Sequence, residues 1–255
     1  MTCYDNIIQR AKTCNLIGNL CRHSDKFYSS LSVQIPVDPP NKLSSPPASF
    51  SSYSPSPSKK NYRNVLSCLI KCCAHKDASI SKFACFAVGN AAFHSSTLYP
   101  LLVHSLEPLG TALKSQDEKT RANAAGAIGN LVRNGNQLCK HIVESGVIQI
   151  LLLMVRDDDS ISPQRIALFS LGTLASHGIC RAEMGLCKPN ASELLRGLQV
   201  RLKNDHQQQQ QCDEALEKYA IRLKAKLKQQ APSAVVSTAG VTNRPLSGEN
   251  RMMSR

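Results

Sequence analysis

The 255-residue sequence predicts an all-α protein built from stacked helical repeats. One short pattern recurs around a central glycine, and the recurring glycines are separated by 71, 40 and 43 residues. β-branched runs are short and the alternation of apolar and polar residues typical of strands is absent. These observations favour a solenoid in which neighbouring repeats share one continuous core.

The recurring pattern aligns without gaps and places Ile, Val or Leu immediately before each glycine. A weaker fifth copy at 219–227 has Ala225 at the glycine position, and the glutamine run 207–211 would account for its longer spacing. A glycine inside a helix costs about 1 kcal/mol relative to alanine, so the repetition predicts close packing between helices. The glycines are Gly18, Gly89, Gly129 and Gly172, in the segments 11–20, 82–91, 122–131 and 165–174.

The long first interval indicates an insertion. Residues 29–58 contain 11 serines and 7 prolines, which oppose both a helix and a packed core. Removing about 30 residues restores a period of about 40, which is a repeat-protein period. We therefore predict a disordered Ser/Pro-rich insertion over 29–60, between two repeats.

Each unit also has an earlier apolar stretch followed by a polar turn, so it reads as helix, turn, helix. A period of about 40 with small residues in the last helix is typical of the armadillo/HEAT-like helical-repeat solenoid. Gly146 is expected to permit a sharp bend from a short helix into the next. The predicted organisation is a partial repeat over 1–28, the insertion, repeats over 61–230 and a disordered C-terminal tail over 231–255. The earlier stretches are 65–70, 101–113, 147–155 and 194–202.

Composition excludes several classes of protein. Apolar residues make up 42%, enough for a sizeable core. The longest apolar run, 147–155, is much shorter than the roughly 20 residues of a membrane span, and the N-terminus has no apolar signal core. The 11 cysteines contain no Cys-x-x-Cys pair, so we expect free thiols in a reducing cytoplasm, no metal site and no cofactor.

The formal net charge of +13 raises the question of nucleic acid. The charge is spread along the chain, whereas phosphate tracking needs a concentrated stripe. Aromatic residues, which stack on bases, make up only 5%. We expect no nucleic-acid partner and a solvated basic surface, weakly attracted to acidic surfaces such as tubulin-like polymers or anionic lipid.

The residue after the repeat glycine is a candidate for peptide binding. In armadillo proteins the matching asparagine often lines a concave groove, and its amide offers a donor and an acceptor to a peptide unit. Alternatively, the asparagine braces the backbone of the neighbouring repeat, and the sequence leaves both interpretations open. These residues are Asn19, Asn90, Asn130 and, in the fourth copy, Thr173.

A further polar position follows four residues later. Stacked repeats would separate its members by about 10 Å, so they would not form one metal site. Their place near a helix end predicts C-terminal capping, with groove lining as the alternative. The residues are His23, His94, Asn134 and His177.

Two other sets could meet partner proteins. Arg121, Arg133 and Arg165 flank the last helices of their units and are candidates for contacts with acidic partner residues. Ser54 and Ser56 each precede a proline in the insertion, and Lys59, two residues after Pro57, suits proline-directed cell-cycle kinases. Phosphate there would add charge without breaking a core.

No catalytic residue is predicted. The kinase signatures, namely the glycine-rich loop, Val-Ala-Ile-Lys, His-Arg-Asp and Asp-Phe-Gly, are missing from the sequence. The phosphate-binding GxxxxGK[ST] loop and the G-x-S-x-G nucleophile motif are missing too. The sequence therefore favours a binding protein over an enzyme.

Three runs resemble the C-terminal armadillo region of Fused-type serine/threonine kinases: 83–94, 119–139 and 163–175. They read Phe-Ala-Cys-Phe-Ala-Val-Gly-Asn-Ala-Ala-Phe-His, Lys-Thr-Arg-Ala-Asn-Ala-Ala-Gly-Ala-Ile-Gly-Asn-Leu-Val-Arg-Asn with a later Leu-Cys, and Pro-Gln-Arg-Ile-Ala-Leu-Phe-Ser-Leu-Gly-Thr-Leu-Ala. The resemblance is close over 62–182 and looser over 11–23 and 190–229.

The resemblance implies a scaffold acting in Hedgehog signalling, in assembly of the ciliary central apparatus or in plant cytokinesis. It implies kinesin-like or signalling partners and a cytoskeletal or ciliary location. Because the sequence opens inside a repeat, we expect a piece of a longer kinase whose ATP-dependent catalytic domain lies upstream, or else a short kinase-free relative. A remote alternative is an importin-like carrier of basic peptides, which the absence of Trp and the basic charge disfavour.

Overall fold

A computed structural model describes residues 3–37, 61–207 and 213–229, with side chains from 6–35, 63–204 and 213–229. These residues form thirteen α-helices, one short 3₁₀ helix and two three-residue strands. The helices are α1 (Cys3–Cys21), α2 (Tyr28–Ser32), α3 (Val65–Cys72), α4 (Ala78–Ala91), α5 (Tyr99–Leu102), α6 (Leu106–Ala112), α7 (Glu118–Asn130), α8 (Cys139–Glu144), α9 (Val147–Asp157), α10 (Ile161–Leu174), α11 (Gly178–Leu186), α12 (Ala191–Gln207) and α13 (Glu214–Leu227).

The helices repeat in sets of three: a short first helix, a second helix and a long third helix. Helix α1 takes the place of a third helix, and four sets follow it: α2–α4, α5–α7, α8–α10 and α11–α13. The third helices pack side by side in the order α1, α4, α7, α10, α13. This arrangement confirms the predicted armadillo-like solenoid. It adds a short first helix to most units, where the sequence indicated only two helices.

Local sequence explains where the third helices begin. The side chains of Asp77, Asp117 and Asp213 accept hydrogen bonds from main-chain N–H groups three residues ahead, at 3.0, 2.7 and 2.9 Å. Each aspartate thereby satisfies a donor that the first helical turn leaves free. Gly146, with φ of 70°, forms the predicted sharp bend between α8 and α9.

Close packing is confirmed at three of the four repeat glycines, including Gly18, where an added Cβ atom would lie 2.5 Å from Cδ1 of Phe86. A Cβ atom built on Gly129 would lie 2.6 Å from Oγ of Ser170, and one built on Gly89 would lie 3.2 Å from Cα of Ala127. The prediction is wrong for Gly172, which has nothing within 4 Å of such an atom, because α13 leaves open space there.

The insertion lies inside a repeat and not between two repeats. It separates α2 from α3, and strands β1 (Ile35–Val37) and β2 (Asn61–Arg63) pair antiparallel across its base, with Ile35 opposite Arg63. Leu31 is buried in the core, so the first part of the segment predicted to be disordered contains a helix and a strand. Residues 38–60 and the predicted tail at 231–255 lie outside the described residues.

Candidate functional site

The third helices form a groove with a volume of about 590 Å³. It runs across α1, α4, α7 and α10, so four successive repeats contribute to one surface. The lining includes apolar, amide and cationic side chains, but no carboxylate. The lining residues are Asn15, Lys82, Phe83, Cys85, Phe86, Gly89, Asn90, Lys119, Ala122, Asn123, Gly126, Ala127, Asn130, Ser162 and Ile166.

The helical repeat explains this lining. In α4, α7 and α10 the groove residues fall mainly at positions ten, seven, six and three before the repeat glycine and one after it. Such a spacing keeps side chains on one face of a helix. Among the groove residues, only Asn90 and Asn130 at the last of these positions were predicted from the sequence, and Lys82, Phe83 and Asn123 were not.

Two of the predicted asparagines lie in the groove and brace the stack at the same time. Nδ2 of Asn90 donates to the carbonyl oxygen of Gly18 at 2.9 Å, and Nδ2 of Asn130 donates to that of Gly89 at 3.0 Å. Within the described part of the chain, neither Oδ1 accepts a hydrogen bond. The bracing interpretation therefore holds, and each amide keeps an acceptor.

The other two members of this position are arranged differently. Asn19 is exposed, and its Nδ2 donates to the carbonyl oxygen of Asn15 on its own helix at 3.0 Å. Thr173 donates through Oγ1 to the carbonyl oxygen of Phe169 at 3.3 Å. Neither residue braces a neighbouring repeat, so the four do not form a uniform ladder.

The polar position four residues later caps a neighbouring helix. Nε2 of His94 lies 2.9 Å from the carbonyl oxygen of Arg22, and Nε2 of His177 lies 2.9 Å from that of Val132. Nδ2 of Asn134 donates to the carbonyl oxygens of Ala92 and Phe93. These three residues therefore contact carbonyls just past the C-terminal ends of third helices, as capping predicts, and those helices belong to the preceding repeat. His23 is exposed.

Arg121 connects two repeats. Its guanidinium forms a two-point ion pair with the carboxylate of Asp158, with Nε 2.7 Å from Oδ2, and donates to the carbonyl oxygens of Ser115 and Gln116. The hydrogen bond to Asp158 raises the pKa of Arg121. Because its guanidinium donors bind groups of this chain, Arg121 braces two repeats, and it does not line the groove.

The other two predicted arginines differ in whether their side chains are free to contact a partner protein. Nε of Arg165 lies 2.5 Å from Oδ2 of Asp213, so it repeats the contact of Arg121 one unit later. Arg133 is exposed and lies over the ring of Phe93, 4.1 Å from its centroid. Ser54 and Ser56 lie outside the described residues.

A pair of tyrosines makes a contact that the sequence analysis missed. The hydroxyl of Tyr99 donates to the carbonyl oxygen of Asn130 at 2.9 Å and accepts from the main-chain N–H of Asn134 at 3.1 Å. The hydroxyl of Tyr28 makes the same two contacts with Asn90 and His94. Burial raises the pKa of Tyr28 to about 12. The available signal was the spacing, since the two tyrosines are 71 residues apart, like Gly18 and Gly89.

Comparison with known proteins supports the repeat assignment. Residues 100–133 match the armadillo/beta-catenin-like repeat family. The chain is 45% identical over 94 residues to serine/threonine-protein kinase TIO of Arabidopsis thaliana, covering 31% of this chain and 7% of that protein. It is 28% identical over 165 residues to serine/threonine-protein kinase 36 of Pongo abelii, covering 65% and 10% respectively. The predicted resemblance to this group of kinases is confirmed over part of the chain, which spans a tenth or less of these relatives.

Solved structures show the same fold. A designed armadillo repeat protein has a TM-score of 0.61 at 17% identity, covering 85% of this chain and 74% of the designed one. A second designed armadillo repeat protein, solved in complex with the peptide (KR)4, has a TM-score of 0.55 at 21% identity, with 64% of each chain covered. No helix of the described residues is long and apolar enough to cross a bilayer.

Proposed function

We propose that this chain is a protein–protein interaction scaffold whose groove binds an extended segment of a partner protein. The observation that carries the proposal is the continuous groove over four stacked third helices, in which Asn90 and Asn130 each keep an acceptor. A main-chain N–H of an extended segment can donate to each of these oxygens.

The dimensions of the fold suit an extended ligand. Packed helices are about 8–10 Å apart. An extended chain rises about 3.3 Å per residue, so each repeat would accommodate two to three ligand residues. Phe83 and Ile166 offer apolar contacts between the amides. A groove of this kind would recognise main-chain polar groups and a few apolar side chains.

The relatives suggest the setting of this scaffold. Both curated relatives are serine/threonine kinases of which this chain spans 7% and 10%. In our proposal the repeats connect such a kinase with kinesin-like or signalling partners in the cytoplasm, at the cytoskeleton or the cilium. Any phosphotransferase activity would belong to a kinase domain beyond the residues of this chain. The importin-like alternative is disfavoured by Lys82 and Lys119, which would repel a basic peptide.

Selection from a random peptide library tests the proposal. The native chain is compared with Gly126→Phe, which places a bulky ring in the groove; Phe86 and Phe169 already occupy this position in other repeats. The matched control is Gly185→Phe, because Gly185 is exposed on α11 and has open space around it.

We expect peptides selected on the native chain to bind the Gly185→Phe variant normally and to lose at least tenfold in affinity for Gly126→Phe. Equal binding to both variants, with both melting cooperatively like the native chain, would refute binding in the groove.

The Ser-Pro sites remain a separate proposal about regulation. Ser54 and Ser56 would carry phosphate in the insertion between α2 and α3. Treatment with a proline-directed kinase followed by peptide mass spectrometry tests it, with the S54A/S56A variant as control. Modification confined to other residues would contradict it.

A further inference from the structure

The charge of the groove face has one sign along the whole stack. The residues that line the groove in α4 and α7 fall mainly at five positions, at ten, seven, six and three residues before the repeat glycine and one after it. The sequence places the same five positions in α1, α10 and α13, with Ala225 standing for the glycine in α13. Among the 25 residues at these positions there is no Asp or Glu. The cations are Lys12, Lys82, Lys119, Arg165, Lys218, Arg222 and Lys226.

Most of these cations have no carboxylate partner in the described part of the chain. Only Arg165 forms an ion pair, with Asp213. Asp77 and Asp117 accept main-chain hydrogen bonds at helix starts. Asp117 also lies near Lys82 and Lys119, whose charges help to lower its pKa. Because the five positions carry seven cations and no carboxylate, the face has a net positive charge even with Asp117 beside it. A positive potential attracts anionic ligands.

Aromatic rings lie beneath two of the cations. Nζ of Lys82 is 4.8 Å from the centroid of the Phe83 ring, and the guanidinium of Arg222 is 5.3 Å from that of the Phe169 ring. The ring of Phe169 also packs edge-on against Tyr219. Such contacts favour cations held on an apolar platform, where an incoming carboxylate meets both a charge and an apolar surface.

We propose that the ligand is an acidic extended segment of a partner protein, with an Asp or Glu in every two to three residues. This inference rests on the proposed peptide groove and specifies its ligand class. The spacing follows from the distance between packed helices, about 8–10 Å, divided by the rise of about 3.3 Å per extended residue.

The chain's own segments outside the described helices are poor occupants. Residues 38–60 contain three lysines and one aspartate, and residues 230–255 contain three arginines and one glutamate. Both segments are net positive, as is the groove face, so charge opposes their binding. A separate acidic protein is therefore the occupant that the charges favour.

Fluorescence anisotropy with labelled peptides tests the ligand class. The probe is a peptide of alternating Asp and Ala, about twelve residues long to span the stack. A matched peptide of alternating Asn and Ala has the same length without the negative charge, so it measures the contribution of charge to binding. A Lys-Arg repeat carries the opposite charge. We expect the Asn peptide to bind at least tenfold more weakly, the Lys-Arg peptide not to bind, and the affinity of the Asp peptide to fall as salt is raised.

The binding surface is tested with two double variants of equal charge change. K82Q/K119Q removes two groove cations, and K71Q/K114Q removes two exposed cations that do not line the groove. We expect an affinity loss of about tenfold for K82Q/K119Q and less than twofold for K71Q/K114Q, since local charge contacts are lost only in the first. Equal losses in both would overturn the inference, because attraction would then depend on net charge alone.

The outcomes separate this inference from the proposed function. If library peptides bind in the groove but carry no acidic residues, the groove function stands and the acidic ligand class is wrong. If no peptide depends on Gly126, both are wrong. If anionic vesicles bind through Lys82 and Lys119 while the Asp peptide does not, the face is a membrane surface and the inference is overturned.

Discussion

The hydroxyl of Tyr99 joins the first and third helices of one repeat by donating to the carbonyl oxygen of Asn130 at a distance of 2.9 Å. Tyr99 begins the short first helix of one repeat, and Asn130 ends the third helix of the same set. The same hydroxyl accepts from the N–H of Asn134, whose side chain donates to Ala92 and Phe93 of the preceding repeat. One phenol thus fixes the end of a groove helix at the point where the neighbouring repeat is capped.

Tyr99→Phe tests this contact. The substitution keeps the buried ring but removes the acceptor of the Asn134 N–H. The carbonyl oxygen of Asn130 loses one of its two donors and keeps the N–H of Arg133. We expect the free energy of unfolding to fall by about 1–2 kcal/mol in chemical denaturation. Tyr219→Phe is the control, because no hydrogen bond of the Tyr219 hydroxyl occurs among the described residues, and it should change stability by less than about 0.5 kcal/mol. Equal effects would contradict the bridging role.

The repeat glycines give opposite predictions at two positions. Gly129→Leu would force a side chain against Ser170 and should destabilise the chain by about 1–3 kcal/mol. Gly172→Ala adds a methyl group in open space inside α10 and should stabilise it by up to about 1 kcal/mol through helix propensity. Thermal melting of both variants checks the prediction, and a destabilised Gly172→Ala variant would contradict it.

The solenoid could be predicted from the sequence because small residues recur with the period of the repeat. Gly89 and Gly129 mark where helices approach closely, and the close approach limits the side chains allowed there. The short first helices carried no comparable signal, since α5 has only four residues and helix periodicity needs a longer window. Helix α2 could not be predicted, because its buried residue Leu31 lies in a serine-rich stretch whose composition indicates disorder.

The pH dependence of the unfolding free energy tests the aspartate caps at the starts of the third helices. Burial alone would raise the pKa of Asp117, but the hydrogen bonds from Thr120 outweigh it and the pKa is lowered. A carboxylate with a lowered pKa in the folded state stabilises above its unfolded pKa of about 3.9, and this contribution is lost as pH falls through the folded pKa. Asp117→Asn keeps a capping oxygen but cannot titrate. We expect it to weaken the loss of stability below about pH 4, and an unchanged pH profile would contradict the assignment.

Cys72 is predicted to be a reactive thiol. Contact with the Cys14 thiol lowers the pKa of Cys72, with burial opposing and Arg10 assisting the shift. Cys14→Ala removes this contact, so alkylation of Cys72 near neutral pH should slow as its thiolate fraction falls. Peptide mass spectrometry measures the rate at Cys72 and at the exposed Cys68, which serves as an internal control. An unchanged rate at Cys72 would contradict the role of the Cys14 contact.

The site was only partly predictable from the sequence. Asn90 and Asn130 were identified because they follow a conspicuous glycine, yet their bracing contacts depend on carbonyls 72 and 41 residues away. Arg121 looked available for a partner because Asp158, its own partner, lies 37 residues further on and in another repeat. Contacts between repeats depend on the register of the stack, which a single unit does not reveal.

Side-chain amide NMR in the presence of the Asp-Ala peptide tests the central claim, that the groove is the binding surface. The account predicts that the NH₂ signals of Asn90, Asn123 and Asn130 shift on titration, while that of Asn190 at the start of α12 stays in place. Peptide binding that shifts the Asn190 signal and leaves the three groove signals unchanged would contradict the account.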